Sequence, residues 1–322
     1  MSDQISAILP SDSAGAAAIN KSKLRLLIEA MRPYQWSKNL FVLVPLLFAK
    51  RIMELEALGY SLVAFVVFSF LASGLYIFND WRDIEEDRAH PYKRNRPLSS
   101  GQLPVNIALT ASAILVFGAL GLASLISIQF LFIAILYFGL TLLYCLTLKR
   151  FIILDCIAIA SGFVLRVVGG ALAISVEATH WLIACAFLLA LFLAFSKRRQ
   201  ELLTLSKNAV EHRRVLGEYT VAFLEQVNLI VIGAAIVSYA LYTVAPETIE
   251  KFGTDALIYG TVFVIYGLLR YLALIDHSEN GGDPSKMLFR DKPLLITVAA
   301  WAVYNAIVVY HTVLFGNRAF PF

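Results

Sequence analysis

From residue 40 onward the chain alternates long apolar runs with short charged breaks. A helix needs about 20 apolar residues to cross the roughly 30 Å hydrocarbon layer of a bilayer. Runs of that kind fall at 40–56, 57–78, 105–126, 128–148, 151–174, 180–196, 222–245, 254–274 and 293–316. They predict nine transmembrane helices, the first interrupted by Lys50 and Arg51 and able to reach back through "RPYQWSKN". Upstream the period changes. Leu24, Leu27, Ile28 and Met31 share one helical face with Lys23 and Arg25 off it, the pattern of a helix lying on a membrane surface. Residues 1–20 are rich in Ser and Ala and lack the charged flank and apolar run of a signal peptide, so they read as a disordered tail. Residues 21–322 read as one transmembrane domain.

Composition agrees: 59% of residues are hydrophobic and 16% charged, against about a quarter charged in soluble domains. The fold class expected is therefore an all-α integral membrane protein. Placing the N-terminus inside puts 22 of the 27 Lys and Arg on the inner side and 4 outside, with Arg166 within a span. Because cytoplasmic loops carry the Lys and Arg excess, this predicts an N-in, C-out arrangement in the cell's inner membrane. The net charge of +4 then reflects an inner basic face. No nucleic-acid module accompanies it, so nucleic acid is not expected as a partner. Cys145, Cys156 and Cys185 lie within apolar spans without metal spacing and read as packing residues. Tyr34, Trp36, Trp181 and Tyr310, near span ends, read as interface anchors.

One stretch does not suit a bland membrane protein. "FNDWRDIEEDRAHPYKRNRPLSSG", residues 78–101, places five carboxylates within eight positions and four cationic side chains within the next nine. If the second span stays helical past Phe78, Asn79, Asp83 and Asp87 stand at i, i+4 and i+8 with Asp80 beside them. Like charges so spaced repel, and hard oxygen donors with open positions suit Mg²⁺ bridging to a substrate phosphate. Asn79, Asp83 and Asp87 are the metal candidates, and Asp80, Asp83 and Asp87 the catalytic ones. Lys93, Arg94 and Arg96 follow between stiffening prolines, as an anion grip. His90 reads as structural. Arg166, alone inside the fifth span, costs at least about 2.5–3.5 kcal/mol there and reads as a cavity-lining residue; Asp155 is some 16 Å away along the same helix, too far to pair with it.

"NDWRDIEED" matches the N-D-x-x-D-x-x-x-D signature of the UbiA superfamily of intramembrane prenyltransferases, which this chain resembles over roughly residues 25–315. The resemblance implies a helical bundle around a central cavity, with Mg²⁺ held on a diphosphate at its mouth. It also exposes a departure. Where aromatic prenyltransferases of the superfamily carry a second Asp-rich motif, this chain reads "FSKRRQELLTL". Lys197 and Arg198 with Glu201 make that place mainly basic, which suits gripping a phosphate directly. With "RPYQWSKNLFVLVPLLFA", "LLYCLTLKRFIILDCIAIASGFVLRVVGGA" and "GGDPSKMLFRDKPLL", it is similar to the decaprenyl-phosphate phosphoribosyltransferase branch.

That branch implies transfer of 5-phosphoribose from phosphoribosyl diphosphate (PRPP) to a polyprenyl (decaprenyl) monophosphate, with pyrophosphate leaving. By analogy the product feeds arabinofuranose donor synthesis for envelope polymers. The phosphate nucleophile is already anionic, so no general base is needed. Lys38, Asn39, Lys93, Arg94, Arg96, Tyr144, Lys149, Arg166, Lys197, Arg198 and Glu201 are the substrate-binding candidates. Asp276, Asp283 and Asp291 in the last inner loop are weaker ones, and Gly169 and Gly170 read as helix-packing glycines. The expected partners are PRPP, a polyprenyl phosphate and the membrane, with a homo-oligomer left open. Competing readings are an aromatic prenyltransferase, which predicts a second carboxylate motif, and a transporter of an anionic lipid or metabolite, which predicts discontinuous helices at mid-membrane.

Overall fold

The computed structural model describes residues 22–89, 93–205, 214–277 and 291–315, and these are helical throughout, joined by turns. The helices run α1 (Lys23–Met31), α2 (Val44–Phe48), α3 (Leu55–Arg82), α4 (Ile84–Ala89), α5 (Val105–Ile126), α6 (Ile128–Leu146), α7 (Leu154–Ala173), α8 (His180–Leu205), α9 (Val221–Val244), α10 (Pro246–Phe252), α11 (Thr261–His277) and α12 (Lys292–Phe315). Among the described residues, eight stretches are long and apolar enough to cross a membrane: α3, α5, α6, α7, α8, α9, the segment Ala256–Ile275 ending in α11, and α12. Residues 1–20, His90 and Asp283 lie outside the described residues.

The first expected span, 40–56, is not a regular apolar helix. A 3₁₀ helix, Pro33–Leu43, leads into the five residues of α2. Pro33 and Pro45 each sit in the first turn of their helical piece, where the missing N–H costs nothing. The chain still travels the depth of the bundle here. Arg32 bonds Asp80 near the end of α3, whereas Arg51 donates to the Ile174 carbonyl beyond the end of α7. Eleven 3₁₀ residues and five α residues rise together by about 30 Å, at roughly 2.0 and 1.5 Å each.

The 3₁₀ pitch also explains how this segment packs. Three residues per turn align Trp36, Asn39 and Val42 on one face. Trp36 Nε1 donates to Ser73 Oγ and Asn39 Nδ2 to Ser69 Oγ, each at 3.0 Å. A three-residue step of 3₁₀ helix and a four-residue step of α-helix are both about 6 Å, so the two polar rungs register. Val42 backs onto α7 at Gly170, where a Cβ would lie 1.9 Å from the Val42 carbonyl oxygen. Trp36 is thus a packing residue more than an interface anchor.

Small residues let neighbours approach elsewhere too. Gly74 of α3 lies against Val116 and Ser112 of α5, and Ser112 Oγ donates to the Gly74 carbonyl at 2.8 Å. Phe68, Phe130 and Tyr137 fill the space between α3 and α6 edge to face. Ser127 and Thr220 cap α6 and α9 by accepting from Phe130 and Phe223 backbone N–H groups. In α1 it is Leu26 and Ala30 that are buried, packed near Ile77 and Leu98, while Leu24 and Ile28 stay exposed. The expected apolar face is therefore divided between the bundle and the outside.

Candidate active site

The acidic stretch sits where α3 gives way to α4. Asp83 breaks the helix, yet the Asp83 N–H reaches the Asn79 carbonyl at 2.9 Å and the Asp87 N–H the Asp83 carbonyl at 2.8 Å. Asn79, Asp83 and Asp87 thereby keep the one-turn spacing the sequence suggests. Asp80 and Asp87 are almost wholly buried, at 1% and 2% exposure, and each is matched. Asp80 Oδ1 accepts from Arg32 Nη2 at 2.5 Å and from Arg96 Nη1 at 3.0 Å. Asp87 Oδ2 accepts from the same Arg96 Nη1 at 2.6 Å, with Lys93 Nζ 3.9 Å from Oδ1. Burial pushes the Asp87 carboxyl above its ordinary value against the pull of Arg96 and Lys93. Asp83 takes Lys149 Nζ on both oxygens, at 3.1 and 2.9 Å, and Asn79 Nδ2 at 3.0 Å. Among the described residues no three acids or histidines converge as a ready metal cluster.

Lys149 is aimed by its surroundings. It lies in a 3₁₀ turn, Leu148–Arg150, between α6 and α7. The entry to α7 is a γ-turn at Ile153, φ +66° and ψ −47°, closed by Leu154 N–H to the Ile152 carbonyl at 2.7 Å. A β-branched residue is costly there, on the order of 1–3 kcal/mol. The Ile153 N–H donates to Tyr219 Oη at 2.7 Å, which donates to Asp155 Oδ1 at 2.7 Å. Asp155 Oδ2 then meets Arg198 Nε at 2.8 Å, both side chains being at most 1% exposed. Arg198 also pairs with Glu201 and reaches Tyr144 Oη at 3.5 Å. Arg199 pairs with Glu225 at 2.7 Å. One buried chain of contacts thus ties the α6–α7 turn to α8.

Arg166 is buried deep in α7 with neutral partners. Nε donates to Asn39 Oδ1 at 2.6 Å, Nη1 to the Gly162 carbonyl at 2.9 Å and Nη2 to Tyr137 Oη at 2.7 Å. The guanidinium lies over the Tyr137 and Phe163 rings at 4.6 and 5.2 Å. It joins the 3₁₀ segment, α6 and α7. As expected, Asp155 is not its partner.

The structure brings Asn79, Asp80, Asp83, Asp87, Lys93, Arg96 and Lys149 together at one end of the bundle, with Tyr144, Arg198 and Glu201 linked to each other beside them. Arg94 is exposed. Lys38 and Lys197 are half-buried, on the 3₁₀ segment and α8. Asn39 and Arg166 sit deeper, in contact with each other. Arg198 is wholly inside the protein with its charge matched there. Asp291 caps α12, accepting from the Leu294 N–H at 2.8 Å and pairing with Arg270; the Asp276 side chain lies outside the described residues. Sequence reasoning missed Arg32 and Tyr219 as partners of this end, and passed over Asp155 once Arg166 was out of reach. The usable signal was Asp155 itself, a carboxylate inside an apolar run that has to find a cation.

The comparison with protein families matches the UbiA prenyltransferase family over residues 40–292. The chain belongs to the UbiA prenyltransferase family. This family member is 33% identical to the decaprenyl-phosphate phosphoribosyltransferase of Corynebacterium glutamicum over 88% of its own length and 86% of the relative's. The enzyme of that name from Mycolicibacterium smegmatis is 32% identical, over 85% and 89%. Among solved structures, a UbiA homolog from Archaeoglobus fulgidus bound to GPP and Mg²⁺ superposes with a TM-score of 0.68 at 19% identity, covering 88% of this chain and 99% of that one. At that identity the likeness speaks for the fold.

Proposed function

We propose that this UbiA family member transfers 5-phosphoribose from PRPP to a polyprenyl monophosphate such as decaprenyl phosphate, releasing pyrophosphate. The single observation that carries the choice is the inner end of α8. It carries Lys197, half-buried, next to Arg198, held by Asp155 and Glu201, and Arg199, held by Glu225. Along α8 itself the described residues include one acid, Glu201, taken up by Arg198, where prenyl transfer to an aromatic ring calls for a second carboxylate motif. The relatives' names point the same way.

Asn79, Asp83 and Asp87 are hard oxygen donors on one helical line, a set that fits Mg²⁺ completed by waters and phosphate oxygens. Bound there, Mg²⁺ supplies Lewis-acid stabilisation of the leaving diphosphate. Lys149, Arg96 and Lys93, which these acids hold in place, neutralise the two substrates' mutual repulsion. The ribose C1–O bond to pyrophosphate breaks as the lipid phosphate oxygen forms its bond to C1, with inversion. This reading includes nine crossings, counting the 3₁₀ segment, with N-in, C-out topology and the site on the cytoplasmic face of the inner membrane. It also includes a product consumed in envelope polysaccharide synthesis.

Purified protein with Mg²⁺, labelled PRPP and a polyprenyl phosphate should yield labelled lipid, and chelation should stop it. Prenyl transfer to 4-hydroxybenzoate from a prenyl diphosphate, without ribose transfer, would replace this reading with the aromatic one.

A further inference from the structure

By the span assignment, 4 of the 27 Lys and Arg fall on the side away from Asp80. Three of those four, Lys50, Arg51 and Lys251, meet at one place. Arg51 is satisfied there, bonded to Glu54 and to the Ile174 carbonyl. Lys50 and Lys251 are matched less fully. Lys50 Nζ donates to the Lys251 carbonyl at 3.1 Å and lies 5.2 Å from the centre of the Phe252 ring, while Lys251 Nζ lies 5.7 Å from the same ring. Neither ammonium has a carboxylate at ion-pairing distance among the described residues. Burial holds both lysines below their ordinary pKa, Lys251 further because of Lys50. Lys50, at φ +60°, comes from the turn between α2 and α3, and Lys251 from the last turn of α10, so the pair joins two separate elements.

A pocket lies between α2, the turn after α7 and α10, with Phe48, Trp181, Leu182 and Tyr242 among its walls; Lys251 and Phe252 line it, and Lys50 reaches it across the Phe252 ring. Glu177 and Glu247 border it as well, both exposed. Two cations on one ring, next to apolar walls at the edge of a membrane bundle, match a phosphate that carries a hydrocarbon chain. We propose that this pocket binds an anionic phospholipid of the leaflet opposite the active site, its phosphate on Lys50 and Lys251 and its first methylenes against Phe48 and Trp181. A free phosphate would meet the same lysines but gain nothing from the walls, which is why the lipid is the occupant.

Native mass spectrometry of the full chain in detergent, titrated with phosphatidylglycerol, phosphatidylcholine or inorganic phosphate, tests this. Phosphatidylglycerol should be retained over phosphatidylcholine, and the preference should fall by roughly fivefold for each lysine removed in Lys50→Gln and Lys251→Gln. Transfer activity of these variants, which lie at the far end from Asp80, serves as the check that they fold. Equal retention of the two lipids, or an undiminished preference in the double variant, overturns the proposal. So does displacement of phosphatidylglycerol by inorganic phosphate, which would make the pocket a simple anion site.

Discussion

Gly170→Ala is a one-methyl change with a calculable consequence. The added Cβ would stand 1.9 Å from the Val42 carbonyl oxygen, a backbone atom, and real Cβ contacts essentially never fall under 3.0 Å. Relief requires the 3₁₀ segment to retreat by about 1.1 Å. Asn39 lies on the same face of that segment, one 3₁₀ turn away. Its 2.6 Å bond from Arg166 would stretch to about 3.7 Å, which is no longer a hydrogen bond. Losing a bond to a charged group costs about 1.5–3 kcal/mol, against a gain of roughly 0.5–1 kcal/mol from Ala over Gly in a helix. The net loss is therefore on the order of 1 kcal/mol or more. Lys38, the neighbour of Asn39 and a proposed substrate-binding residue, moves too, and on that proposal a 1 Å misplacement can cost about 10²-fold in rate. The control is Gly118→Ala in α5, where an added methyl would have nothing within 4 Å of it; it should be neutral or slightly stabilising. Unfolding midpoints in detergent, with ribosyl transfer rates, read both. If Gly170→Ala matches Gly118→Ala in both, the packing argument is wrong.

Asp83→Asn should abolish turnover and Mg²⁺-dependent PRPP binding while leaving the unfolding midpoint nearly unchanged, since the half-buried Asp83–Lys149 pair contributes little to stability; normal turnover would remove Asp83 from the metal set. Asp155→Ala leaves the buried Arg198 short of a partner and should destabilise by about 3–5 kcal/mol, whereas Asp155→Leu with Arg198→Met should be less harmful than Asp155→Ala alone; the reverse order in thermal denaturation would refute the pairing. A hydrogen bond from Arg270 holds the Asp291 carboxyl below its ordinary value of 3.8. Its contribution to stability is then fully present above about that pH and lost as pH falls through the lower folded value. Asp291→Asn should flatten that part of a stability–pH profile, and an unchanged profile would count against it.

Local patterns were legible where one physical rule governs them. Apolar run length gave eight of the expected helices, and i,i+4 spacing placed Asn79, Asp83 and Asp87 in line even across the break at Asp83. What escaped was decided by distant partners. Hydropathy cannot tell a 3₁₀ crossing from an α-helical one, because the pitch is selected by Ser69, Ser73 and Gly170 on other helices. Arg32 reads as one more basic residue before the first span until Asp80, 48 positions later, is seen to hold it. Tyr219 offers no pattern at all; its role exists because the turn at Ile153 needs an acceptor 66 residues away.

The interlocked charges around Asp80, Asp83 and Asp87 have a thermodynamic side. A cation drawn to Asp83 and Asp87 would leave Lys149 without its carboxylate and Arg96 with Asp80 alone, and a polyanion drawn to Lys149 and Arg96 would take from Asp83 and Asp87 the cations that hold them. Either ligand by itself is thus resisted, while the two together exchange partners one for one. Linkage then makes the effect reciprocal: whatever factor the cation adds to the polyanion's affinity, the polyanion adds to the cation's. On the proposed function, such an end of the bundle would be a conjunction detector, filled by metal and phosphate together and by neither alone.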